Sequence, residues 1–175
     1  AHSLVVAAAR ETFEETGVLL AGTDADSVVE DATPYHDVRA ALENHELSFA
    51  EFLNDHQLTL RADLLGAWAH WITPFFEPRR FDTRFFVALL PEGQRIDSGS
   101  DEADASAWVP LSDVLQLVKR GDAAMMPPTE ITCGELAAES AATVMQASAN
   151  RQIVAIEPKL VDIDGGLWLD TGRNE

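Results

Sequence analysis

From residue 3 to residue 16 the chain places Leu4, Val6, Ala9 and Phe13 at mostly three- and four-residue spacing, and Gly17 follows. That period predicts a helix with one apolar side, and a glycine just past the last periodic residue is a favoured stop. VLLAG, directly after it, is short and apolar and suits a strand. From 23 to 65 the composition turns polar, yet Val38, Ala41 and Leu42, then Phe49, Phe52 and Leu53, keep helical spacing. Two or three short helices are expected there, with Ser48 as an N-cap, and the segment reads as an insertion.

GAWAHWITPFF and RRFDTRFFVALLP are dense in aromatic and β-favouring residues and are separated by Pro74 and Pro78, so they are expected to pair as a hairpin. QRIDSGSDEADASAWVPLSDVLQLVKRGD reads as a loop, a short strand ending near Pro110, and a helix capped by Ser112 that stops before Gly121. The run from Thr129 to Ala149 reads as one long helix, and IVAIEP, LVDID and LWLDTG as short strands split at Gly165 and Gly166. No repeat is found. These elements alone give an α+β or α/β chain.

Composition narrows the function classes. At 175 residues the chain has length for one domain, 1–175, with a sizeable core. A formal charge of -18 argues against a nonspecific nucleic-acid surface, which works through Lys and Arg. A small anionic ligand stays compatible where a metal or a local Arg cluster masks the field. No uncharged apolar run approaches the roughly 20 residues that cross a bilayer. Cys133 is the single cysteine, so no internal disulfide forms, and a reducing, cytoplasmic setting is expected. The thiol reads as a small core residue rather than a nucleophile. The chain opens on AHSLVVAAAR, already helical and without an initiator Met, so the natural N-terminus is expected to be missing.

The stretch RETFEETGVL changes the picture most. On a helix Glu11, Glu14 and Glu15 stand at i, i+3 and i+4, so their carboxylates share one face. Like charges so placed cost a few tenths of a kcal/mol per pair, and the last turn of a helix disfavours anions by about as much. Arg10, four residues before Glu14, offsets part of this. One reading is a solvated acidic face. The other is a cation site, since Mg²⁺ or Mn²⁺ takes several carboxylate oxygens and bridges to substrate phosphates.

R-E-T-F-E-E-T-G-V resembles the second half of the Nudix box, G-x5-E-x7-R-E-U-x-E-E-x-G-U. Arg10, Glu11, Glu14, Glu15, Gly17 and Val18 match, Thr12 stands at a bulky position, His2 stands where the box has its first Glu, and the opening Gly would precede residue 1. The resemblance implies an α/β/α sandwich around a mixed sheet, with residues 23–65 as a helical insertion after the box helix. It also implies a diphosphatase that uses Mg²⁺ or Mn²⁺. Metal binding falls to Glu14 and Glu15, metal binding or base catalysis to Glu11, and orientation of a glutamate to Arg10.

A further base or metal ligand often precedes a strand carrying Trp, in a spacing like E-x5-W-V, which makes Glu102 the candidate, with Asp101 and Asp104 close in claim. A solvated acidic loop is the competing reading. RRFDTRFFVALL, W-I-T-P and M-M-P-P-T resemble the branch that includes the peroxisomal coenzyme A diphosphatases. Arg79, Arg80 and Arg84 are then candidate phosphate contacts. Arg84 shares a strand face with Asp82, so a structural pair is an equal reading.

His36, His45, His56 and His70 read as surface or interface residues. Phe75 and Phe76 read as core, with one of them lining a base-stacking pocket as the alternative, and Met125-Met126 as a packed loop. The partner expected is a small nucleotide, with coenzyme A or an acyl-coenzyme A first, and an insertion of this kind suits a homodimer. The alternatives are a catalytically idle Nudix-like nucleotide-binding module and an acidic interaction protein that needs no metal.

Overall fold

The computed structural model describes residues 2–97 and 108–172. These form two compact units, one of residues up to Leu65 together with Ala88–Trp108, the other of Gly66–Val87 together with the chain from Val109 onward.

The first unit opens with α1 (His2–Thr16), whose Ala9 and Phe13 are fully buried while Leu4, the outermost member of the apolar stripe, stays exposed. The helix stops as its sequence predicts. Gly17 takes φ +70, its N–H donates to the Phe13 carbonyl at 2.9 Å, and a Cβ there would stand 2.8 Å from Nε2 of His36. Only glycine satisfies both demands.

Val18, Leu19 and Leu20 are buried, but the ladder is shorter than expected. It holds only β1 (Ala21–Gly22), antiparallel to β2 (Thr59–Leu60). Before it, the buried amide of Gln94 substitutes for a strand: Leu19 N–H donates to its Oε1 at 2.8 Å, and its Nε2 donates to the carbonyls of Leu19 and Val29.

The polar segment folds as a 3₁₀ helix over Thr33–Val38, α2 (Arg39–Glu43) and α3 (Phe49–Asp55). Ser48 caps α3 as expected, and Glu51 completes a reciprocal capping box. This segment is more than a decoration, because Leu42, Phe49 and Phe52 build the core that buries α1. Phe13 and Phe52 stack with ring centroids 5.4 Å apart.

In the second unit β3 (Gly66–Ile72) and β4 (Asp82–Val87) form the predicted antiparallel pair, with a bulge between Ala67 and Ala69. Strand β5 (Ala155–Ile156) joins β3 in parallel, giving a mixed sheet of order β4-β3-β5. Trp68, Ala69, Trp71, Val144 and Ile156 form its core.

Residues 108–110 are irregular, so the described end of the stretch expected as a strand is not one. Helix α4 (Leu111–Arg120) ends at Gly121, φ +79, but its N-cap is Pro110 and not Ser112. The long helix expected from Thr129 to Ala149 is two, α5 (Pro127–Leu136) and α6 (Val144–Asn150). Between them Ser140 and Thr143 bond each other's backbone: Ser140 N–H donates to the Thr143 hydroxyl at 2.9 Å, and Thr143 N–H to the Ser140 carbonyl at 3.0 Å. Such local bonds compete with helical ones.

The tail forms a hairpin of β6 (Lys159–Ile163) and β7 (Gly166–Asp170) about Asp164 and Gly165, both at positive φ as the tightest hairpin turns require. Phe75, Phe76 and Met126, expected to be packed, are instead exposed, Phe75 and Met126 at 74% and 73%. They lie on loops with too little sheet or helix beside them to cover them.

Candidate active site

Helix α1 brings Arg10, Glu11, Glu14 and Glu15 into its last two turns. Glu11 and Glu15 are exposed, whereas Glu14 is 7% exposed. The difference follows from the helical period: Glu14 adjoins the buried Phe13, so it lies at the edge of the stripe that faces the core. Burial pushes its carboxyl above the ordinary value, with Arg10 opposing the rise and Glu11 and Glu43 adding to it.

Arg10 stands between two of the acids. Its Nη2 donates to Oε1 of Glu11 at 3.1 Å, and its Nε lies 3.5 Å from Oε1 of Glu14. The second contact is an ion pair without hydrogen-bond geometry, and both of its atoms are buried with no hydrogen-bond partner. An ionised carboxylate oxygen in that state costs free energy unless something cationic supplements the arginine.

The end of the helix is fixed by residues that sequence reasoning did not single out. Arg39, buried, donates Nε and Nη2 to the main-chain carbonyl of Glu14 at 2.9 and 2.7 Å. Its Nη1 reaches Oδ2 of Asp97 at 3.3 Å. Asp97 also faces Nδ1 of His36 at 3.0 Å, and its N–H donates to the Thr16 carbonyl at 2.8 Å. His36, read as a surface or interface residue, is therefore part of this frame. Arg39 lies 25 residues from Glu14 and Asp97 lies 58 from Arg39, so no local pattern could announce the set.

Glu102, Asp101 and Asp104 lie outside the described residues. Arg80 and Arg84 lie in the second unit and already have protein partners. Arg80 donates Nε to the Thr73 carbonyl at 2.9 Å and Nη2 to Glu157. Arg84 donates to Oδ1 of Asp82, which also accepts from Nε2 of His70 at 2.8 Å. Arg79 holds its guanidinium 4.9 Å above the Phe81 ring. The Asp82–Arg84 pair, one of the two readings that strand alternation left open, is present.

The metal implied by the box can be tested against the donors present. Three carboxylates on one helix face, one with a buried unpartnered oxygen, are the right chemistry for a hard divalent ion. No three His, Cys, Asp or Glu side chains among the described residues are already gathered as a ligand set. The helix thus supplies the donor types and one desolvated oxygen, but not a closed cage.

A mixed α/β chain with this arginine-and-glutamate set in the last two turns of α1 carries the helix pattern of the Nudix box. Comparison with known families makes this specific: the NUDT19 Nudix domain matches residues 2–134, and the chain belongs to the Nudix family. A Caenorhabditis elegans protein that carries a nudix hydrolase name is 31% identical over 125 residues, 70% of this chain and 40% of that protein. The Xenopus laevis protein named acyl-coenzyme A diphosphatase NUDT19 is 26% identical over 137 residues, 70% of this chain and 36% of that protein. A solved Nudix hydrolase from Alicyclobacillus acidocaldarius matches with a TM-score of 0.69 and 27% identity, over 82% of this chain and 65% of that one. The chain thus spans about two fifths of the length of the two curated relatives. No described helix is long and apolar enough to cross a membrane.

Proposed function

We propose that this chain carries a Mg²⁺- or Mn²⁺-dependent hydrolase site that splits the diphosphate linkage of a nucleoside diphosphate derivative, with coenzyme A or an acyl-coenzyme A as substrate. The observation that carries the reading is the buried Oε1 of Glu14, which has no hydrogen-bond partner, on a helix that also carries Glu11 and Glu15 and matches the Nudix box. The name of the Xenopus relative supports the choice of substrate.

When bound, the divalent ion would supply Lewis-acid charge at the phosphoryl oxygens. Glu14 and Glu15, with Glu11, are the groups that would hold it. Arg10 keeps Glu11 turned along the helix through its 3.1 Å bond and partly neutralises Glu14. Arg39 fixes the backbone under Glu14, so the carboxylate is positioned before any ligand arrives.

A carboxylate at Glu11 or Glu102 would accept the proton of the attacking water as its oxygen bonds to phosphorus and the bridging P–O bond breaks. Arg80 and Arg84 would contact anionic groups of the substrate only by sharing the guanidinium fork with Glu157 and Asp82.

The test is direct. With coenzyme A and Mn²⁺ the chain should release adenosine 3′,5′-bisphosphate, and the double variant Glu14→Gln/Glu15→Gln should release about 100-fold less or lower still while keeping its circular dichroism. Even an outer-shell partner of a metal is worth about 10–100-fold. Full activity in that variant would remove the helix from the metal site.

A second reading has an observation of its own: no closed ligand set exists among the described residues, and His2 occupies the place of the first box glutamate. A nucleotide-binding module without turnover fits that. Calorimetry with Mn²⁺ and coenzyme A separates the two, since binding with no product favours the module.

A further inference from the structure

Strands β6 and β7 make a sheet of two strands only, so each has an outer edge whose backbone groups lack a ladder partner among the described residues. An open edge is a template for another strand, and proteins blunt it with Lys, other charges or Pro. The edge of β6 is blunted: Pro158 precedes it, and Lys159 and Asp162 stand within it. The edge of β7 is not. Gly166, Leu167, Trp168 and Leu169 fill it, its first charge is Asp170 at the last position, and Leu167 and Trp168 are 73% and 61% exposed. A hairpin of two strands is marginal alone, so a further strand on this apolar edge would add stability.

The hairpin fixes which backbone groups face outward. The Asp164–Gly165 turn is closed by Ile163 and Gly166, a hydrogen-bonded pair in a two-residue hairpin, and bonded and non-bonded pairs alternate from there. Trp168 therefore spends its N–H and carbonyl on Val161, whereas those of Leu167 and Leu169 point away from β6. A second β7, antiparallel about a two-fold axis at Trp168, sets Leu167 opposite Leu169 of the second copy and satisfies the outward groups of both.

The side chains suit the same register. On one face Leu160 and Leu169 continue into Leu167 of the second copy; on the other, Val161 and Trp168 continue into the second copy's Trp168 and Val161. Asp170 falls opposite Gly166, and Asp162 lies on the outer strand, so no two acids meet across the axis in a chain of net charge -18. Other registers are poorer. Centred on Leu167 or Leu169, they set Trp168 opposite Gly166 or Asp170, and β6 pairing with itself about Val161 would set Leu160 against Asp162.

We propose that β7 is a dimerisation strand, through which two copies of this chain join into one antiparallel sheet of order β6-β7-β7-β6. Both outer edges of that sheet are the blunted β6, so assembly closes at two copies. The proposal goes beyond the hydrolase reading and does not depend on it. A contact confined to one strand pair lies at the small end of specific interfaces, so the dimer is expected to be weak, with a micromolar dissociation constant.

The experiment is sedimentation equilibrium of the chain from low micromolar to a few hundred micromolar, where a monomer–dimer equilibrium is expected. Trp168→Glu, at an exposed position, sets two carboxylates opposite each other in place of the indole pair and should raise the dissociation constant by about tenfold or more. Leu167→Lys combined with Leu169→Glu gives each lysine a glutamate across the axis and should keep the dimer. Leu167→Lys combined with Leu169→Lys sets like charges there and should leave monomer. Circular dichroism checks the fold of each variant.

A monomer throughout that range, a dimer that Trp168→Glu leaves unchanged, or equal association of the two double variants would overturn the proposal. Growth beyond the dimer in the unmodified chain would overturn it too, because the β6 edges would then not be ending the sheet.

Discussion

Arg39 grips the main-chain carbonyl of Glu14 with two of its N–H groups, at 2.9 and 2.7 Å, and thereby closes the end of the helix on which the candidate metal ligands stand. The carbonyls of a last helical turn have no partner within the helix, and a cation there also opposes the helix dipole. Arg39 serves both needs at once.

Arg39→Ala should therefore destabilise the protein by about 3 kcal/mol, since hydrogen bonds to charged donors are worth roughly 1.5–3 kcal/mol each and one buried carbonyl loses both. Arg39→Lys, which cannot form the fork, should recover less than half of that. Urea midpoints at constant slope are the measurement; equal stabilities of wild type and Arg39→Ala would mean that water replaces the guanidinium.

Glu14 should limit stability in the metal-free protein. Its folded carboxyl is raised above the unfolded value because burial disfavours the charge. The folded state thus holds the proton to a higher pH than the unfolded state, and its contribution falls as pH rises from the unfolded value through the raised folded one. In chelator, Glu14→Gln should be more stable than wild type above the raised folded value, and the two should converge below the unfolded value, where the carboxyl is neutral in both states. Divalent ion should then stabilise wild type and not the variant.

The capping box of α3 gives the opposite pH sense. Hydrogen bonds from the Ser48 hydroxyl and N–H hold the Glu51 carboxyl below its ordinary value. Its stabilisation is present above the unfolded value and is lost as pH falls through the lowered folded one. Ser48→Ala should cost about 1 kcal/mol at neutral pH and should flatten this acid limb.

In the second unit Oε2 of Glu135 accepts from Trp68 Nε1 at 3.0 Å and from Arg151 Nη2 at 2.6 Å, while the guanidinium of Arg151 lies 4.2 Å above the Trp68 ring. Glu135→Leu removes the acceptor of both bonds and should cost about 2–3 kcal/mol by urea denaturation. Glu135→Gln keeps an acceptor for the indole and should cost about half as much. A larger loss in the Gln variant would contradict this division.

The sequence displayed what is settled locally. The stop at Gly17, the cap at Ser48, the β3–β4 pairing and the Asp82–Arg84 pair each depend on neighbours a few residues away or on strict alternation. The placement of the box residues on α1 was likewise readable, because residues three and four apart on a helix share a face. The break between α5 and α6 was hidden, since the Ala-rich composition of residues 137–143 favours helix while the Thr143 hydroxyl accepts from the Ser140 N–H in a local turn. Phe75, Phe76 and Met126 were misjudged because hydrophobicity shows that a side chain gains by burial without showing what could cover it. Arg39, His36 and Asp97 were illegible for a different reason: their partners are distant in the chain, and a single Arg or Asp carries no mark of a long-range pairing.

Asp97 has one more bearing. Bonded to the Thr16 carbonyl, to Arg39 and to His36, it ties the outgoing chain to the floor of the acidic helix. The frame that steadies Glu14 is in this way also a mooring for the chain at Asp97, and loosening it at Arg39 would slacken the helix end and that mooring together.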